Sequence, residues 1–178
     1  AIIGCEEGVV IAACAQAAER GVCSVANINS GGQTVIAGHR ASVEYAVELL
    51  KERGARRTAF LPVSAPFHCE LMKPAAERLK PLLERAAFND LAVPLVTNVD
   101  AQTIASGAQA RDALERQVVA PVRWYESVVR MINDGVSRFV EIGPGKVLSG
   151  LVRQMSREVE VLSIQTPESL GEAVAVLR

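Results

Sequence analysis

The residues best suited to chemistry lie in the stretch SAPFHCEL, residues 64–71, where His68 stands directly beside Cys69. Histidine is the side chain whose proton affinity suits acid–base work near neutral pH. A neighbouring cysteine raises the question of thiol catalysis. On a helix, adjacent side chains point about 100° apart and do not face each other. Catalytic Cys–His pairs join residues distant in sequence. Cys69 therefore reads as a small buried hydrophobe. Ser64, across a proline-containing turn from His68, reads as a turn or capping hydroxyl. A serine nucleophile is expected on a G-x-S-x-G elbow, and these 178 residues contain none. His68 is thus either a structural histidine holding a backbone group, or a base whose nucleophile is not among these residues.

Other stretches carry weaker signals. EIGPGKVLSG, residues 141–150, suggests a phosphate loop, but Val147 follows Lys146 and Val140 stands where the first glycine is required. It reads as a tight strand-to-helix turn. NINSGGQ, residues 27–33, reads as a hairpin turn whose amides Asn27, Asn29 and Gln33 offer hydrogen bonds to a polar ligand. ERQVVAPVRW, residues 115–124, reads as a helix junction.

The elements around these stretches follow from periodicity. Residues 1–63 read β-α-β-β-α-β, the order of a ferredoxin-like unit. Its second helix carries Val43, Ala46, Val47 and Leu50 at helical spacing and closes at Gly54. Its last strand spans RRTAFLPVS. Beyond Ser64 the pattern predicts a helix from Phe67 to Ala87 broken or kinked at Pro74 and Pro81. It then predicts a strand in VPLVTNV, a polar loop in DAQTIASG and a helix ending before Pro121. A helix follows with Tyr125, Val128, Val129 and Ile132 inward, and then RFVEI, KVLSGLVRQMS, VEVLSI and PESLGEAVAVL alternate strand and helix. That alternation predicts a parallel sheet covered on both faces.

Composition narrows the classes. Hydrophobic residues make up 49% and charged residues 22%, an ordinary globular balance. The net charge of −1 and an aromatic content of 4% argue against nucleic acid or an anionic membrane as partner. No apolar run reaches membrane-spanning length. The four cysteines form no CxxC pair and read as reduced thiols of a cytosolic protein. The chain starts without methionine, inside an expected strand, as the later part of something longer would. Arg40, Lys51, Arg53, Arg56 and Arg57 form either a basic rim for an acidic partner or a solvated face.

In chain order, AIIG, VANINSGGQTVIAGH, LPVSAPFHCELMKPAAERL, VPLVTNVDA, RDALERQVVAPVRWYESV and EIGPGKVLSGL resemble the malonyl-CoA:acyl-carrier-protein transacylases of fatty-acid synthesis. VSAPFHCELMKPA together with EIGPGKVLSGL is specific to that family and its polyketide relatives. The resemblance implies an α/β protein: a ferredoxin-like small subdomain over 1–63, then the C-terminal part of an α/β-hydrolase-like catalytic subdomain over 64–178. It implies malonyl transfer from coenzyme A to the phosphopantetheine thiol of acyl carrier protein, through a serine ester. His68 falls on the family's general base and Gln117 on the residue whose backbone carbonyl orients it. Phe67 falls beside the base, where a ring would crowd a branched acyl carbon. Asn27, Asn29 and Gln33 border the cleft for coenzyme A or phosphopantetheine. The resemblance implies no permanently bound cofactor, a coenzyme A thioester as substrate, acyl carrier protein as partner, no nucleic acid, no membrane, and a cytoplasmic site of action.

The family's serine elbow, its arginine for the malonyl carboxylate and its N-terminal glutamine loop all precede the aligned region. The chain by itself is therefore expected to be inactive, with sheet edges left open. The alternative reading is a non-catalytic ferredoxin-like module that binds a ligand or a carrier protein.

Overall fold

The computed structural model describes residues 1–177, which fall into two compact units, the first over 1–127 and the second from 128 onward. In the first unit, β1 (Ile2–Ile3) leads to α1 (Glu7–Ala17), extended by a 3-10 turn at Ala18–Arg20. β2 (Cys23–Ser30) and β3 (Gln33–Gly38) form a hairpin across Gly31 and Gly32, as the two-residue glycine loop predicts. α2 (Arg40–Glu52) and β4 (Arg57–Thr58) complete the β-α-β-β-α-β order. The sheet runs β2-β3-β1-β4 with every pairing antiparallel. This is the ferredoxin-like arrangement expected from residues 1–63.

Both helices contribute to one core. Val10, Ala13, Cys14 and Ala17 of α1 meet Ala46 and Leu50 of α2 with Ile2, Cys23 and Ile36 of the sheet. Val10 and Leu50 are fully buried, each worth about 1.5–3 kcal/mol relative to exposure.

The last strand is shorter than its composition predicts. Ala59 still exchanges two bonds with Ala1, at 2.6 and 2.9 Å, but regular pairing stops there. Pro62 lacks a donor for the ladder, and residues 59–63 run on irregularly with Phe60, Leu61 and Val63 exposed.

The following helix also starts later than expected. A 3-10 turn at Glu70–Met72 precedes α3 (Lys73–Arg85). His68 has φ of 60° and Cys69 has φ of −141° and ψ of 173°, so neither residue can join a right-handed helix. Pro74 sits in the first turn, where its missing N–H costs nothing, and Pro81 is carried inside the helix without ending it.

β5 (Leu95–Val96) pairs antiparallel with β6 (Thr103–Ile104), so the expected polar loop contains a short strand. α4 (Gly107–Gln117) opens with a capping box: Ser106 Oγ accepts from Gln109 N at 3.2 Å, and Gln109 Oε1 accepts from Ser106 N at 3.3 Å. Lys80 of α3 reaches Glu115 of α4 at 2.7 Å. α5 (Trp124–Asn133) carries the chain from the first unit into the second.

The second unit holds a β-α-β with one further helix. β7 (Arg138–Ile142) pairs parallel with β8 (Glu160–Ile164), from Arg138↔Glu160 to Ile142↔Ile164. α6 (Val147–Met155) connects them and α7 (Pro167–Leu177) follows. The expected parallel sheet is present, among the described residues, only as this pair. Ile142 at its end is 79% exposed.

Candidate active site

The site is built on the backbone turn at 66–69. A left-handed conformation at a residue other than glycine costs on the order of 1–3 kcal/mol and persists only where its surroundings enforce it. Here Cys69, 1% exposed, packs into the interior and its Sγ donates to the carbonyl of Pro66 at 3.1 Å. Met72 N closes the turn on the carbonyl of Cys69 at 2.9 Å. The helical geometry assumed for His68 and Cys69 is absent, yet the two side chains still part company. Cys69 turns inward to Pro66, and His68 turns towards α4.

His68 Nδ1 lies 3.0 Å from the carbonyl oxygen of Gln117. Gln117 ends α4, so its carbonyl is one of those a helix leaves without an internal partner. A carbonyl only accepts, so Nδ1 carries the proton and the neutral ring presents a lone pair at Nε2. Nε2 makes no hydrogen bond among the described residues. His39, the other histidine, has the opposite arrangement: its Nδ1 accepts from Val22 N at 2.9 Å, a structural role at the start of α2.

A cavity of about 520 Å³ opens beside the turn, within the first unit. Asn27 and Phe67 both line it, with Ile36, Phe60 and Leu61 among the apolar walls and Arg40 as a charged one. Asn29 and Gln33 do not line it; they sit further along the β2–β3 hairpin. The structure thus brings together His68 with Gln117, and Phe67 with Asn27. Phe60 and Leu61 are lining residues that the sequence does not mark, because RRTAFLPVS reads as a strand and Pro62 is the one signal against that. Arg40 pairs with Glu44 at 2.8 Å, and Arg53 donates to Gln16 Oε1 at 2.6 Å. Of the basic group, Arg40 alone reaches the cavity.

EIGPGKVLSG is a strand-to-helix turn. The Glu141 carboxylate accepts from Leu148 N at 3.1 Å and Ser149 N at 2.8 Å, and Gln165 Oε1 accepts from Gly145 N at 2.9 Å. These acceptors occupy the amides that a phosphate would need. All four cysteines are buried and free. No helix among the described residues is long and apolar enough to cross a membrane.

The first unit thus joins a ferredoxin-like sheet to a histidine whose ring faces a backbone carbonyl. In sequence and in fold the chain is similar to malonyl-CoA:acyl-carrier-protein transacylases. It is 47% identical to the malonyl CoA-acyl carrier protein transacylase of Haemophilus influenzae over 171 residues, covering 96% of this chain and 55% of that protein. It is 44% identical to the Escherichia coli K12 transacylase, covering 98% and 56%. Among solved structures, it matches the acyl-carrier-protein S-malonyltransferase of Burkholderia pseudomallei with a TM-score of 0.92 and 41% identity, covering 98% of this chain and 57% of the other. It matches a malonyl-transacylase solved in complex with a type II polyketide acyl-carrier protein with a TM-score of 0.94 and 40% identity, again covering 98% and 57%. No family model matches. The chain spans about half the length of the curated relatives it matches.

Proposed function

We propose that this chain supplies the general base and part of the substrate cleft of a malonyl-CoA:acyl-carrier-protein transacylase. The observation that carries the reading is the 3.0 Å approach of His68 Nδ1 to the Gln117 carbonyl, which leaves Nε2 as a proton acceptor. A serine hydroxyl outside these residues loses its proton to Nε2 as its oxygen attacks the malonyl thioester carbonyl. The imidazolium returns that proton to the departing coenzyme A thiolate, leaving a malonyl-serine ester. The phosphopantetheine thiol of acyl carrier protein then gives its proton to Nε2 and attacks the ester. The serine oxygen leaves and is reprotonated from the same ring. A backbone carbonyl orients the ring but stabilises the imidazolium less than a carboxylate does.

Phe67 narrows the acyl site against branched chains, an effect of about 1–3 kcal/mol per methylene. Asn27 serves the pantetheine arm, with Asn29 and Gln33 flanking it on the hairpin. The division of labour follows the chain order: 1–63 forms one wall of the cleft and 64–178 carries the base. The reaction takes a coenzyme A thioester as substrate, needs no permanently bound cofactor, and belongs in the cytoplasm with its carrier protein. Similarity to transacylases across both parts of the chain favours this reading over a free-standing binding module.

The test joins this chain to the serine-bearing segment of a relative. His68→Ala should lower acyl transfer by about 10²–10⁴-fold, and Cys69→Ala should leave it within a few-fold. The reverse pattern overturns the reading. So does radiolabelling of the chain on its own by malonyl-CoA, which would place the nucleophile inside it.

A further inference from the structure

We infer that the side chain of Gln117, and not only its carbonyl, is a positioning element, and that it ties the orientation of His68 to strand β2. This rests on the reading of His68 as the base. Gln117 Nε2 donates to the carbonyl of Ala120 at 2.9 Å and to that of Pro121 at 3.2 Å. The helix must end here, because Pro121 has no N–H and disfavours helical geometry at Ala120. The chain therefore turns, and the carboxamide of Gln117 bridges that turn. One residue supplies both halves of the junction: its amide grips the chain ahead, and its carbonyl faces His68.

The gripped segment is itself held by the sheet. Val122 N donates to the carbonyl of Ala26 at 2.8 Å, and Val122 O accepts from Ile28 N at 2.9 Å. Asn27, which lines the cavity, is bracketed by these two bonds and forms a parallel bridge with Val122. A continuous path of short contacts thus runs from Asn27 through Val122, Pro121 and Ala120 to the Gln117 amide and on to His68. Rotation of the Gln117 peptide would withdraw the acceptor that sets the tautomer. The carboxamide opposes that rotation by spending both N–H groups on neighbouring carbonyls. Leucine or methionine would fill the same volume without that restraint.

The test uses 15N-histidine NMR on this chain in alkaline buffer, which favours neutral imidazole in general. With two histidines the spectrum is assignable. Wild type should show His68 as the Nδ1–H tautomer. Gln117→Met should turn His68 into a mixture of both tautomers and leave His39 unchanged. An unaltered His68 tautomer in Gln117→Met overturns the inference. Loss of the His39 signal pattern would report unfolding of the variant. The wild-type Gln117 carboxamide then decides: exchange slowed at least tenfold relative to an exposed glutamine supports the restraint, and free exchange overturns it. None of these readouts needs turnover, so a failed acyl-transfer assay would sink the functional reading and leave this result standing.

Discussion

The Nδ1 of His68 faces the carbonyl oxygen of Gln117 at 3.0 Å, across a sequence separation of 49 residues. The Nδ1 of His39 instead faces the amide of Val22 at 2.9 Å. One nitrogen must donate and the other must accept, so the two rings hold opposite neutral tautomers. Long-range 15N–1H spectra of wild type should show one histidine protonated at Nδ1 and one at Nε2. Two identical patterns would refute the assignment.

The same turn makes a stability prediction. His68 holds φ of 60°, which costs an L-residue roughly 1–2 kcal/mol relative to glycine. His68→Gly and His68→Ala both lose the bond to Gln117, so their difference isolates the backbone. His68→Gly should be the more stable by about 1 kcal/mol in urea unfolding. Equal stability would mean that the turn relaxes once the ring is gone.

Cys69 should be chemically quiet. Burial pushes its thiol up, and it is 1% exposed. The thiolate is the reactive form. Alkylation by iodoacetamide at neutral pH should leave Cys69 unmodified in the native chain and modify it in denaturant, read by peptide mass spectrometry. Rapid native labelling would mark Cys69 as an accessible nucleophile.

Arg116, the residue before Gln117, grips Asp100 through two bonds of 2.7 and 2.6 Å. The Arg116 hydrogen bonds hold the Asp100 carboxyl below the usual carboxylate range. A depressed folded value means that stabilisation is present above the ordinary value and is lost as pH falls through the depressed one. The pair is partly exposed, so its share is modest. Asp100→Asn should lower stability at pH 7, and the difference from wild type should shrink at pH values below about 4. A difference independent of pH would show that the carboxylate charge is not what matters.

Gly107 starts α4 where a side chain has no room. An added Cβ would lie 2.5 Å from the carbonyl oxygens of both Phe88 and Asn89. Those are backbone atoms and cannot swing aside. Gly107→Ala should destabilise by about 1–3 kcal/mol, the usual cost of overpacking. In the joined enzyme it should also lower turnover, because α4 carries the Gln117 carbonyl at its other end. Unchanged thermal stability would show that the 88–107 contact yields without cost.

Much of the architecture was legible because it rests on local rules. The glycine pair of NINSGGQ dictated a hairpin, the spacing of Ala46 and Leu50 dictated the buried face of α2, and the β-α-β-β-α-β order followed. The errors fell where tertiary contacts override local preference. RRTAFLPVS has strand composition throughout, but the regular pairing ends with Thr58, and Ala59 meets Ala1, the first of these residues. PFHCEL has helix-forming residues next to it, but the burial of Cys69 and the reach of His68 hold the backbone in a turn.

By itself, the sequence determined the elements, their order and the identity of the base candidate, since side-chain types and their period are written in it. The partner of His68 is a backbone carbonyl, and every residue has one, so no residue type marks it. The family resemblance pointed to Gln117, but only the packed structure leaves its carbonyl at a helix end and 3.0 Å from the ring.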